Sequence, residues 1–150
     1  MGSDRSVRVG EVLPDEAWRL LHDAGSECRL VDVRSRAEWK FVGVPDLGEL
    51  NDEPILVEWA SFPDMSVNAR FVAEVMDALG GDRPRRLLFL CRSGQRSLRA
   101  AQAVAAHLSA EGAACDCLNV AEGFEGDLDR EGHRGRDNGW KVRGLAWRQT

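Results

Sequence analysis

Short apolar runs alternate along this chain with stretches of helical periodicity. The apolar runs at residues 28–33, 55–57, 87–90 and 115–120 have the length and composition of buried strands. Apolar residues between these runs recur at helical spacing. Because short strands that alternate with helices form parallel sheets, the pattern predicts an α/β fold with a central parallel sheet and helices on both faces.

Turn and cap residues set the expected limits of the helices. Pro14 suits the first turn of the first helix, and Gly25 is expected to end it. Ser35 is the expected N-cap of the second helix, and Glu38 completes a capping box with it. Ser97 is the expected N-cap of the fourth helix. The predicted helices cover residues 14–25, 35–40, 68–79 and 97–107.

The chemistry of the chain centres on Cys91, which stands where a predicted strand ends and the helix at 97–107 begins. At this position the sulfur faces the unpaired N–H groups of a helix and the positive end of its dipole. Arg92 and Arg96 add positive charge, and Gly94 lets the loop curl its N–H groups around an anion. These features predict a reactive thiolate rather than a small core cysteine.

Composition and charge narrow the class of protein. The chain has 150 residues, of which 43% are hydrophobic and 30% charged, as in a globular protein of one domain. Its net charge of -5 argues against nucleic-acid binding. We expect no membrane span and no secretory signal. The four cysteines lack the spacing of a disulfide scaffold, which indicates a reducing, cytoplasmic setting. They are Cys28, Cys91, Cys115 and Cys117.

Three motifs resemble those of the single-domain rhodanese-like sulfurtransferase family. They are L-V-D-V-R-S-R-A-E-W at residues 30–39, L-F-L-C-R-S-G-Q-R-S at 88–97 and N-V-A-E-G-F at 119–124. The ending G-W-K-V-R-G-L-A-W at 139–147 gives weaker support. The first two motifs are specific because they occur together and in order. The resemblance implies one rhodanese-like, three-layer domain over residues 1–150.

The resemblance also implies a reaction. A thiolate would take sulfane sulfur from a small anionic donor such as thiosulfate, become a persulfide, and pass the sulfur to cyanide or a thiol. A protein sulfur acceptor would also fit. By position, Cys91 would carry the sulfur, and backbone N–H groups of the following loop would hold the outer sulfur atom. We expect no metal and no organic cofactor.

The remaining site residues follow from the same resemblance. Arg92 and Arg96 would hold the anionic donor. Asp32 and Arg34 match the acidic and basic residues of the family's strand end and would support the site without taking part in the chemistry. The substrate-binding loop would comprise Arg92, Ser93, Gly94, Gln95, Arg96 and Ser97.

Two stretches depart from the family pattern. Members commonly carry a G-H-I-P-G-A segment after the D-V-R motif, whereas residues 41–47 contain no histidine. An additional irregular segment at residues 125–138 precedes the family-like ending. This segment is expected to cover the site or to dock a partner, and in the first case His133 and Arg134 would reach the site. Trp59 and Phe62 are candidate walls of the donor pocket.

Two alternative functions use the same cysteine. Some phosphatases share the rhodanese-like fold, but they need five residues between Cys and Arg, and only four separate Cys91 from Arg96 here. The second alternative is a binding module in which an exposed Cys91 senses oxidants and Cys28, Cys115 or Cys117 resolves it. Cys115 and Cys117 would face the same side of a strand.

Overall fold

The described structure is built from nine strands, four α-helices and a short 3-10 helix. It is a computed structural model that describes residues 6–24, 27–61 and 63–149. In chain order the elements are β1 (Val7–Val12), α1 (Pro14–Ala24), β2 (Cys28–Asp32), α2 (Arg36–Phe41), β3 (Val44–Pro45), the 3-10 helix (Gly48–Leu50), β4 (Ile55–Leu56), β5 (Ala60–Ser61), β6 (Ser66–Val67), α3 (Phe71–Leu79), β7 (Arg86–Leu90), α4 (Gln95–Glu111), β8 (Cys115–Val120) and β9 (Trp147–Arg148).

Five of the strands form one parallel sheet in the order β1-β8-β7-β2-β4. The predicted α/β fold with a central parallel sheet is therefore confirmed. The register places Asp32 beside Leu90 and Phe89 beside Asn119, so β2, β7 and β8 end at one edge of the sheet. Two short antiparallel pairs, β3 with β9 and β5 with β6, lie outside this sheet.

Successive side chains of the central strand β7 enter two separate cores, because neighbouring residues of a strand point to opposite faces. Leu87 and Phe89 pack in the first core, with the apolar faces of α3 and α4. Leu88 and Leu90 pack in the second core, with α1 and the chain that follows β8. The sheet is therefore covered on both faces, which makes three layers.

The C-terminal part of the chain contributes side chains to the second core. Trp140 is completely buried, and its ring meets the edge of the Trp18 ring at a centroid distance of 5.8 Å. Its indole Nε1 donates a hydrogen bond to the Ala146 carbonyl at 2.9 Å. Leu145 packs against the same core, whereas Trp147 stays 37% exposed on β9. Trp140 is thus the main anchor of this part of the chain.

Residues 7–12 form an edge strand that pairs along β8, and β5 forms a hairpin with β6. Two helix starts predicted from the sequence are wrong. Helix α3 begins at Phe71 instead of residue 68, and α4 begins at Gln95 instead of Ser97. The expected roles of Gly25 and Phe62 fall outside the described residues.

Of the helices in the described ranges, none has both the length and the apolar composition needed to cross a bilayer.

Trp140→Ala is expected to lower the free energy of unfolding by about 3 to 5 kcal/mol, because it leaves a large cavity between the C-terminal segment and α1. Urea denaturation measures this difference. The matched control is Val142→Ala, in the same segment but 40% exposed, for which we expect a change within about 0.5 kcal/mol. Equal losses in the two variants would show that the segment is not part of the core.

Candidate functional site

Cys91 follows β7 directly and lies at the edge of the sheet where three parallel strands end. Its Sγ accepts hydrogen bonds from the Gly94 N–H at 3.1 Å and from the Ser97 hydroxyl at 3.2 Å. The residue is only 1% exposed. The exposed cysteine assumed for the redox-sensor alternative is therefore wrong.

The loop after Cys91 owes its shape to Gly94, whose φ of 114° lies in the left-handed region. Gly94 is also the N-cap of α4 and makes no side-chain cap. Ser97, predicted as the N-cap, instead lies inside the first turn, so its hydroxyl points to the sulfur rather than capping the helix. The N–H groups of this first turn have no intrahelical partner and supply the local positive potential.

The other residues of the predicted loop differ in exposure. Arg92 and Gln95 are exposed, Ser93 is half-buried, and Arg96 is half-buried. Of the loop N–H groups expected to hold a sulfur, only that of Gly94 donates to the Cys91 Sγ in the described residues.

Asn119 is a site residue that the sequence analysis did not identify. It lies near the carboxyl end of β8 and is 2% exposed. Its Oδ1 accepts the Ser97 hydroxyl at 2.5 Å, and its Nδ2 donates to the Gly94 carbonyl at 3.1 Å and to Glu11 at 3.2 Å. The sequence does contain a signal for Asn119, because it is a polar residue at the end of a predicted buried strand. Since a hydroxyl has one proton, Ser97 can donate to Asn119 or to the sulfur, but not to both at once.

Arg96 forms a two-pronged ion pair with Glu38, with N–O distances of 2.7 and 2.9 Å. Burial disfavours the charged form of Glu38, but hydrogen bonds from Arg96 and Ser35 outweigh this effect and lower its pKa to about 2. Both terminal nitrogens of the Arg96 guanidinium are therefore already paired. Arg96 was expected to hold an anionic donor, and such a donor would have to compete with Glu38.

Asp32 and Arg34 form a second ion pair, and both are completely buried. The shortest N–O distance is 2.6 Å, and a further bond joins Arg34 Nε to Asp32 Oδ1 at 2.9 Å. Arg34 also donates to the Gly43 carbonyl at 2.8 Å and lies 4.2 Å from the centroid of the Phe124 ring. The pair thus joins the end of β2 to two other segments, which is the geometry of a supporting element.

The outer side of the Cys91 loop is held by the segment after β8. The N–H of Phe124 donates to the Cys91 carbonyl at 2.8 Å, and that of Glu125 to the Arg92 carbonyl at 3.0 Å. Gly123, at φ 70°, lies so close that an added Cβ would overlap the backbone of Arg92. This position therefore requires glycine on two grounds, backbone conformation and space.

A cleft of about 880 Å³ opens beside the loop. Its lining includes Arg92 and Arg96 of the loop together with residues of the 125–138 segment. His133 and Arg134 of this segment line the cleft with Arg92 and Arg96, while the roles expected for the segment, covering the site or docking a partner, stay predictions. Trp59 does not line this cleft; it packs on Phe71 with a centroid distance of 5.1 Å, partly buried against the first core.

The other three cysteines are buried and free. Cys115 and Cys117 lie in the same core, as predicted from their alternation. Burial raises the pKa of Cys28 to about 12, and the hydrogen bond to Cys115 together with burial raises that of Cys117. Within residues 6–24, 27–61 and 63–149, no three His, Cys, Asp or Glu side chains are grouped so as to hold a metal ion.

Comparison with known proteins gives relatives over most of the chain. The uncharacterised protein RP600 of Rickettsia prowazekii is 33% identical over 118 residues, which is 79% of this chain and 80% of that protein. The uncharacterised protein RC0915 of Rickettsia conorii is 36% identical over 118 residues, which is again 79% of this chain and 80% of that protein. The chain belongs to the family of these rickettsial proteins. No family model matches it.

A solved structure is also similar. The crystal structure of Rv0390 from M. tuberculosis has 46% sequence identity and a TM-score of 0.80, and the similarity covers 95% of this chain and 99% of that one. The similarity to the Rv0390 structure thus covers more of this chain than the alignment with the rickettsial proteins does.

Gly123→Ala is expected to lower the free energy of unfolding by at least about 2 kcal/mol, because it adds a steric overlap to the strain of a positive φ. Urea denaturation is the measurement. Gly132→Ala is the matched control: its φ is 80°, but an added Cβ there meets nothing within 4 Å. Gly132→Ala should lower the free energy of unfolding only by the cost of the positive φ, about 1 kcal/mol. If the two variants lower the free energy of unfolding equally, the close approach of Gly123 to Arg92 does not contribute to stability.

The Glu38–Arg96 pair is expected to make stability depend on acid pH. The folded-state pKa of Glu38, about 2, is below its ordinary value of 4.5. The ionised Glu38 therefore contributes on the order of 3 kcal/mol to the free energy of unfolding. This contribution is complete above pH 4.5 and is lost as the pH falls towards 2.

Urea denaturation of the wild type and Glu38→Gln, repeated from pH 7 to pH 2, tests this dependence. The two unfolding free energies should differ at neutral pH and converge at pH 2. Glu49→Gln, at a carboxylate 71% exposed and outside the site, is the control. A difference between wild type and Glu38→Gln that does not change with pH would contradict the ion pair.

Proposed function

We propose that this protein is a sulfurtransferase that carries sulfane sulfur on Cys91 as a persulfide. The observation that carries the proposal is the donation of the Gly94 N–H to the Cys91 Sγ at the start of α4, with the Ser97 hydroxyl 3.2 Å from the same sulfur. Hydrogen-bond donors that are fixed before reaction stabilise negative charge on a reacting atom without reorganising. The resemblance of the three motifs to rhodanese-like sulfurtransferases supports the same reaction.

The first half of the proposed reaction loads the enzyme. The Cys91 thiolate attacks the outer sulfur of thiosulfate, a new S–S bond forms to Cys91, and the S–S bond of thiosulfate breaks. Sulfite leaves with the electron pair of that bond. The resulting persulfide carries its negative charge on the outer sulfur, where the unpaired N–H groups of the first turn of α4 would face it.

The second half returns the enzyme to its starting state. Cyanide or a thiolate attacks the outer sulfur, and the S–S bond to Cys91 breaks with its electron pair on Cys91. The two half-reactions need no external oxidant or reductant, and they predict ping-pong kinetics. Asp32 and Arg34 would keep the strand end and the segment at Phe124 in place, without contact with the reacting atoms.

The ion pair of Arg96 disfavours the phosphatase alternative. In such enzymes a guanidinium closes the loop on a phosphate, whereas both terminal nitrogens of Arg96 bind Glu38 here. We also propose a reducing, cytoplasmic location, which is supported by four free cysteines.

Incubation with thiosulfate is expected to add one sulfur, about 32 Da, to the intact protein, and cyanide should remove it. Cys91→Ser should gain no mass, while the matched control Cys115→Ser should load normally because its sulfur lies in the core. Intact-mass spectrometry gives the readout, and circular dichroism checks that each variant is folded. Loading of Cys91→Ser would overturn the assignment of Cys91 as carrier.

A further inference from the structure

The 125–138 segment is an ordered loop despite its lack of helix and strand. The Asp129 carboxylate accepts the N–H groups of Glu131 at 2.9 Å and His133 at 2.8 Å. Gly135 donates its N–H to the Glu125 carbonyl at 2.8 Å. Asn138 closes the loop through two hydrogen bonds with Asp127. These bonds fix the arginines of the segment on the wall of the cleft.

Arginine side chains are concentrated in the cleft, although the net charge of the chain is -5. Arg92, Arg96, Arg134 and Arg136 line it, against the carboxylates of Glu38 and Glu125. Arg96 pairs with Glu38, and Arg136 lies 3.6 Å from two carboxylates of its own loop. In the part of the chain that the structure describes, Arg92 and Arg134 have no carboxylate oxygen within 4 Å.

Arg134 is held in place without being neutralised. Its Nη1 donates to the Gly126 carbonyl at 2.7 Å, which leaves the positive charge of the guanidinium uncompensated. Arg92, which lines the same cleft, is exposed. Two uncompensated guanidinium groups in one cleft attract a ligand with more than one anionic group.

The size and rim of the cleft indicate an organic ligand. Its volume of about 880 Å³ is in the range of pockets for organic molecules and far exceeds the needs of thiosulfate or cyanide. The side chains of Val42, Met65 and Leu128 also line it and offer apolar contact to a carbon skeleton.

We propose that this cleft selects, as sulfur acceptor, a small organic thiol that carries two or more anionic groups. The proposal rests on the sulfurtransferase function proposed above and names its acceptor class. Arg92 and Arg96 belong both to the cleft lining and to the loop that follows Cys91, so an acceptor bound there lies next to that loop. Its thiolate attacks the outer sulfur, the S–S bond to Cys91 breaks, and Cys91 departs as thiolate while the acceptor becomes a persulfide.

Binding is tested with thiols whose sulfur is capped, so that no transfer can occur. S-methylglutathione carries carboxylates and S-methyl-coenzyme A carries phosphates, and isothermal titration calorimetry compares both on the wild type and on Cys91→Ser. We expect at least one to bind, and the stronger probe distinguishes the two kinds of anionic group. Failure of both to bind overturns the proposal.

Arg134→Gln is expected to weaken this binding about five- to tenfold, as for the loss of one charge-assisted hydrogen bond. Arg85→Gln is the matched control, because Arg85 is 73% exposed and precedes β7, at the opposite edge of the sheet. It should bind as the wild type does. Equal affinity of Arg134→Gln and wild type overturns the proposed role of the cleft.

Sulfur transfer separates this proposal from the function on which it rests. With the persulfide preloaded, the rate ratio of the anionic thiol to uncharged 2-mercaptoethanol should fall about fivefold in Arg134→Gln but not in Arg85→Gln. An unchanged ratio overturns the acceptor assignment even if the persulfide forms. If Cys91 never loads while the capped thiols bind through Arg134, the sulfurtransferase function fails and the cleft is an anion-binding site only.

Discussion

The backbone of Cys91 and Arg92 lies against Gly123 with no room for a side chain between them, and the site depends on this contact. The close approach lets the N–H groups that follow Gly123 reach the two carbonyls of the loop. With its carbonyls fixed from outside, the loop can turn the Gly94 N–H inward to the sulfur.

Two ion pairs, one completely buried and one partly buried, hold this arrangement together. Asp32 and Arg34 are only two residues apart, so their pair forms within one strand end and then holds distant segments. Glu38 and Arg96 are separated by 58 residues, so their pair ties α2 to the start of α4. In both cases the guanidinium meets a carboxylate in fork geometry, which compensates charges that would otherwise be costly to remove from water.

The sequence was most informative where a feature depends on neighbouring residues. The strand before Cys91, the capping box of Ser35 and Glu38, and the alternation of Cys115 and Cys117 are local patterns, and each is present in the fold. The helix limit at Ser97 was misplaced because its hydroxyl could serve either as a cap or as a partner for another group. Only the fold shows that the Ser97 hydroxyl lies within hydrogen-bond distance of the Cys91 sulfur and of Asn119 instead of capping the helix.

The edge position of β1 has a consequence for how the chain folds. Val7 pairs with Cys115 and Val12 with Val120, so the first strand of the chain finds its partner only in the last strand of the sheet. Contacts between residues this far apart in sequence carry a large loop-closure entropy and slow the folding reaction. During synthesis β1 therefore stays an unpaired strand edge until residues 115–120 have left the ribosome.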